Sequence, residues 1–132
     1  MRTKRPVRLL WVYMTAPATA VAQRLAEALV GERLAACVNL LSGVRSTYRW
    51  RGRVERARET VLIAKTRADR YSALCARVRE LHPYEVPCIV AGAIERGHPA
   101  FLEWVAAESQ PERLPPRRTR KRTAGSGRGG SP

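Results

Sequence analysis

The chain has few residues with which to grip a metal tightly or to run covalent chemistry. Its 132 residues include two histidines and three cysteines. No Cys-x-x-Cys, His-x-His or other closed zinc spacing occurs. There is no Ser-His-Asp order, Gly-rich phosphate loop or nucleophile elbow, so a binding protein is expected rather than an enzyme. Three cysteines cannot all pair within one chain, which fits a reducing compartment. No apolar run approaches the roughly 20 residues needed to span a bilayer, so no membrane insertion is expected. The start imitates a leader peptide, with basic residues 1–8, apolar Leu9–Met14 and Ala18-x-Ala20. That apolar stretch is too short for a usual leader, and Thr15 and Pro17 interrupt it. A buried strand is the better reading, and a cytoplasmic location follows from it.

Acidic residues are scarce as well: 11 against 25 lysines and arginines, for a formal charge of +14. The excess is concentrated at the ends. Residues 113–132 carry seven bases and no acid, residues 1–8 carry four bases, and residues 9–112 hold 14 bases against 11 acids. The chain therefore divides into a basic arm (1–8), a mildly basic domain (9–109) and a Pro, Gly, Ser and Arg tail (110–132). The tail has almost nothing apolar to bury, so it is expected to stay unfolded. It offers non-specific contact with polyanions, although it lacks aromatic platforms for stacking on bases.

Within the domain, apolar periodicity predicts strand, helix, strand, strand, helix, strand and helix. Leu9–Met14 reads as a buried strand. Val21, Leu25 and Leu29 recur at helical spacing, giving a helix from Thr19 to Arg33 with Thr19 as its cap. Residues 35–41 form the next strand, with a bulge at Ser42-Gly43 before the chain runs on to Trp50. Gly52 then turns it into a long partner strand, Val54–Thr66. Alternation puts Ser46, Tyr48 and Trp50 on one face and Arg45, Arg49 and Arg51 on the other. A second helix spans 69–81 and ends before Pro83. Residues 88–94 form the last strand, and Pro99 opens a short helix carrying Trp104. Two β-α-β units joined by a hairpin imply an α+β, ferredoxin-like βαββαβ split sheet with an extended hairpin and an extra C-terminal helix. Strands this long would overhang a one-domain sheet and ask for a partner chain.

Several segments, in order, are similar to one family. They are Ala35-Ala36-Cys37-Val38-Asn39, Ser46-x-Tyr48-x-Trp50-x-Gly52, Glu59, Lys65-Thr66, His82-Pro83-Tyr84-Glu85-x-Pro87 and Leu102-x-Trp104. Together they resemble the CutA-type divalent-cation (copper) tolerance proteins over residues 9–107. The resemblance implies a ferredoxin-like fold, a compact homotrimer and a cytoplasmic role tied to copper or another divalent ion. Met14 and Leu81 stand where copper-linked members carry cysteine and a second histidine, so any metal here is expected to bind weakly.

Cu(I) prefers thiolate and imidazole, which makes Cys37 and His82 the candidate metal donors. A buried, apolar Cys37 is the competing reading. Trp50, Lys65, Tyr84 and Glu85 are candidates for a polar, aromatic ligand pocket at a subunit boundary. Tyr48, Trp50 and Trp104 are candidates for the interface itself. Two further functions stay open: a trimeric small-molecule-binding signalling protein, and a nucleic-acid-associated protein acting through its basic ends.

Overall fold

Alternation along the first strand decides how the sheet is covered. In the computed structural model, which describes residues 6–111, β1 spans Leu9–Ala16. Val12, Met14 and Ala16 point one way and are fully buried, while Trp11 and Tyr13 point the other way and are more exposed. Two helices explain the difference. Helix α1 (Thr19–Gly31) and helix α2 (Tyr71–Leu81) lie on the first face, where Leu25, Leu29, Leu74 and Val78 close the core against Leu62 and Ala64. Removing a side chain such as Leu25 or Leu29 costs about 2–5 kcal/mol in sites of this kind.

Strands β2 (Cys37–Trp50), β3 (Arg53–Arg67) and β4 (Ile89–Ala93) complete one antiparallel sheet in the order β2-β3-β1-β4. The βαββαβ order and the ferredoxin-like sheet expected from the sequence are both present. Helix α3 (Pro99–Glu108) is the extra C-terminal element. It covers one end of the second face, where Val105 packs on Leu9 and Ala36. Arg33, at φ 60°, sends its guanidinium to the carbonyls of Ala107 and Gln110 and so caps α3 from a distant segment.

The hairpin is built as its sequence indicates. Arg51 and Gly52 both have positive φ (51° and 80°), the combination required by a two-residue turn that matches strand twist. Register shifts between Leu41 and Val44, with Gly43 at φ 75°, so Ser42-Gly43 is the bulge. Residues of β3 before Thr60 pair with β2 alone, because β1 ends at the Ala16–Thr60 pair. That is the overhang.

Four local expectations change. The α1 cap is Ala18, without a side-chain bond, and α1 ends at Gly31 rather than Arg33. The Thr19 hydroxyl lies within hydrogen-bond distance of Ser42 and Thr60, tying the helix start to the hairpin root. Residues 68–70 form a 3₁₀ turn before α2 begins. Arg51 occupies the turn itself instead of the arginine face; its guanidinium lies 5.2 Å from the Trp50 ring centre and 3.3 Å from Glu85. The basic arm lies largely outside the described residues, and so does the tail beyond Pro111.

Candidate functional site

At the root of the hairpin, on the face opposite α1 and α2, the sheet and the loop after α2 line an open cavity of 610 Å³. Tyr13 and Thr15 come from β1, Ser46, Tyr48 and Trp50 from β2, Glu59 from β3, and Tyr84, Glu85 and Cys88 from the loop. The strand pairing makes this possible. Val44–Glu59, Ser46–Ala57 and Tyr48–Glu55 are opposed across the hairpin, so the aromatic row and Glu59 share one face.

Glu59 is the electrostatic centre. It is only 8% exposed, and its carboxylate accepts hydrogen bonds from the Ser46 hydroxyl (2.7 Å) and the Tyr84 phenol (3.1 Å). No lysine or arginine of the described residues pairs with it. Two neutral donors offset part of the cost of burying the charge, and the wall retains excess negative potential. Tyr84 reports this. Burial first, then the bond to Glu59, holds its phenol up at about 12. Burial and the same carboxylate also raise the Cys88 thiol, which therefore remains protonated at neutral pH.

His82 supports this wall instead of opening onto it. It is buried, its Nε2 donates to the Thr15 carbonyl (2.8 Å), and its Nδ1 accepts from the Tyr84 backbone N–H (3.0 Å). One donor and one acceptor describe a neutral ring with neither nitrogen free. Its ring packs against Tyr84 at 4.8 Å between centres, tilted by 51°, and so helps to position the phenol that meets Glu59.

The other predicted residues are dispersed. Cys37 opposes Lys65 near the far end of β3, whereas His82 is anchored at Thr15, which opposes Val61. Four residues separate Lys65 from Val61, about 13 Å along the strand. Cys37 and His82 therefore do not meet within one chain. Met14 is fully buried beneath the helices and cannot join either one. Lys65 lies six residues from Glu59, about 20 Å away, and donates to Asn39 rather than lining the pocket. Trp104 sits on α3 beside Phe101, remote from Tyr48 and Trp50. His98 accepts from the Ala100 N–H and caps α3. Among the described residues no cluster of three or more His, Cys, Asp or Glu side chains is arranged to hold a metal. The donor set of a single chain thus does not fit a closed copper or zinc site.

Sequence reasoning placed Trp50, Tyr84 and Glu85 in a pocket, and all three line this one. It missed Glu59 as the pocket's charge, along with Tyr13 and Thr15. The signal was available: an odd-numbered acid in β3 has the same facing as Val61 and Ile63, and so turns toward Tyr13.

A four-stranded antiparallel sheet with two helices on one face and a long hairpin defines a ferredoxin-like α+β protein, here with an acid-lined aromatic pocket. The profile of the CutA1 divalent ion tolerance protein family matches residues 10–108, and the chain belongs to that family. The Divalent-cation tolerance protein CutA of Thermus thermophilus is 47% identical over 94 residues, covering 71% of this chain and 91% of that protein. The Protein CutA homolog of Xenopus laevis is 44% identical over 93 residues. The match spans 62% of the frog protein, and covers 70% of this chain. Among solved structures, that of CutA1 from Oryza sativa superposes with a TM-score of 0.77 at 39% identity, covering 81% of this chain and 97% of that one. The structure from Archaeoglobus fulgidus, described as a periplasmic divalent cation tolerance protein, gives a TM-score of 0.75 at 37% identity, covering 77% and 99%. Among the described residues no helix is long and apolar enough to cross a membrane.

Proposed function

We propose that this protein acts in divalent-cation tolerance as a cytoplasmic homotrimer that binds cations weakly, with the Glu59 pocket as its working site. One observation carries the choice of site: a nearly buried carboxylate lines an open cavity and has no basic partner among the described residues. Negative potential inside a low-dielectric wall attracts positive charge. Oxygen donors such as Glu59, together with water, suit a hard or borderline divalent ion, and a single carboxylate holds it loosely. Cys37 remains a candidate thiolate donor for copper only if another subunit supplies its partner ligand.

Two features support assembly. The hairpin overhang leaves its aromatic face without a third strand, with Tyr48 and Trp50 each about two-fifths exposed. The uncovered sheet face exposes Trp11, Leu41 and Val90 as well. Neighbouring copies would bury both surfaces and close the pocket mouth. Three unpaired cysteines support the cytosol. Light scattering tests the assembly: a mass three times the 14.8 kDa chain supports it, and a stable monomer at micromolar concentration refutes it. A second reading, a small organic ligand in the same pocket, is favoured by its four aromatic rings. Competition between a bound amine and a divalent metal ion would distinguish the two.

A further inference from the structure

Averaged over residues 9–112, the charge is close to balanced, yet strand alternation sorts it sharply within the hairpin. Both hairpin acids, Glu55 and Glu59, fall on the pocket face, opposite Tyr48 and Val44. The other face carries Arg45, Thr47 and Arg49 from β2 against Arg58, Arg56 and Val54 from β3. All six side chains are exposed. Four arginines therefore share one face with no acid. Arg45 and Arg58 are directly opposed, a like-charge pair that destabilises a hairpin unless something anionic lies across it. None of the four belongs to an ion pair among the described residues. Beyond those residues the sequence holds a single acid, Glu112. Between Arg45, Thr47, Arg56 and Arg58 runs an open groove of 610 Å³.

We propose that this arginine face is a docking surface for the sugar–phosphate backbone of a nucleic acid. All four bases are arginine, whose planar fork meets phosphate oxygens in pairs. Spacing agrees. Arg56 and Arg58 stand two residues apart, about 7 Å along the strand, a separation that neighbouring phosphates of an extended nucleic-acid strand can span. A bilayer fits less well, because Val54 is the one apolar side chain on this face and nothing else there could bury among acyl chains. The surface faces away from Tyr48, Trp50 and the pocket, so it is separate from the cation site.

The test is fluorescence anisotropy of a labelled, unstructured 20-nucleotide RNA with the full chain, from 50 to 200 mM NaCl. One variant carries Arg45→Gln, Arg49→Gln, Arg56→Gln and Arg58→Gln. A control with the same loss of charge carries Arg24→Gln, Arg53→Gln, Arg79→Gln and Arg96→Gln. Four phosphate contacts on a single strand contribute a log–log salt slope of about 2.8. Over that fourfold salt range the parent should lose about 50-fold more affinity than the four-site hairpin variant, and the control should follow the parent. The double variant Arg56→Gln, Arg58→Gln should lose about half the slope, which keeps the test decisive if the larger variant folds poorly. Equal loss in the control would mean net charge alone, and an unchanged slope in the hairpin variants would mean no contact; either overturns the proposal. So does a hairpin variant that binds RNA like the parent but no longer binds phosphatidylserine vesicles.

Discussion

Replacing Glu59 by glutamine removes one charge and one of two acceptor oxygens but almost no volume, so each consequence is electrostatic or a lost hydrogen bond. The parent carboxylate accepts from Ser46 and Tyr84. Hydrogen bonds to a charged acceptor contribute about 1.5–3 kcal/mol and neutral ones about 0.5–1.5, so the two bonds together should weaken by about 2–3 kcal/mol. Relief from burying an unpaired charge offsets part of this, and the net change in urea midpoint should be small. The tyrosine titration should change far more. Tyr84 sits at about 12, raised first by burial and then by its bond to Glu59, against 10 for a free phenol. The unfolded chain gives up this proton first, so the stabilising contribution is complete below pH 10 and is lost as pH rises toward 12. In Glu59→Gln, absorbance at 295 nm should show this ionisation moving down, with the burial contribution retained. Tyr84→Phe assigns the step by removing it. A Tyr84 ionisation that stays near 12 in Glu59→Gln would refute the placement of the carboxylate against the phenol.

Gly92 is opposed to Trp11, and a Cβ there would lie 2.2 Å from the indole. Gly92→Ala should displace the indole and lower stability by about 1–3 kcal/mol, measured by denaturation and by a shift in tryptophan emission. Trp50→Ala should cost the isolated chain little and the assembly much, about 3–5 kcal/mol if a partner buries the ring, seen as a lower mass on dilution. Deleting residues 112–132 should leave the melting temperature and mass unchanged, because every residue of both apolar clusters lies within 9–106.

Periodicity made the fold legible, because the sheet has one covered face and one uncovered. Val12 and Met14 against Trp11 and Tyr13, and Leu25 with Leu29, carry period two and period 3.6 with little ambiguity. The bulge and turn were legible because Gly43 and Gly52 mark positive φ. The α1 cap was misassigned because the Thr19 hydroxyl has a better use, bridging to Ser42 and Thr60 across the hairpin root, which local rules cannot see. The candidate site was half legible for a similar reason. Tyr84, Glu85 and Trp50 converge because a loop and a hairpin are each local features. Grouping Lys65 with them ignored register, which puts it six residues beyond Glu59 on β3. His82 looks like a ligand in sequence, and only the Thr15 carbonyl and the Tyr84 N–H, 67 and two residues away, show that both its nitrogens are already used.

The central claim is that cations engage the Glu59 pocket rather than a Cys37–His82 pair. Equilibrium dialysis of the tag-free protein against Zn(II), at neutral pH under reducing conditions, tests it most directly. Wild type and Cys37→Ser should take up the same weakly bound metal, and Glu59→Gln should lose most of it while keeping its mass and fold. Uptake that survives in Glu59→Gln and disappears in Cys37→Ser would contradict the account.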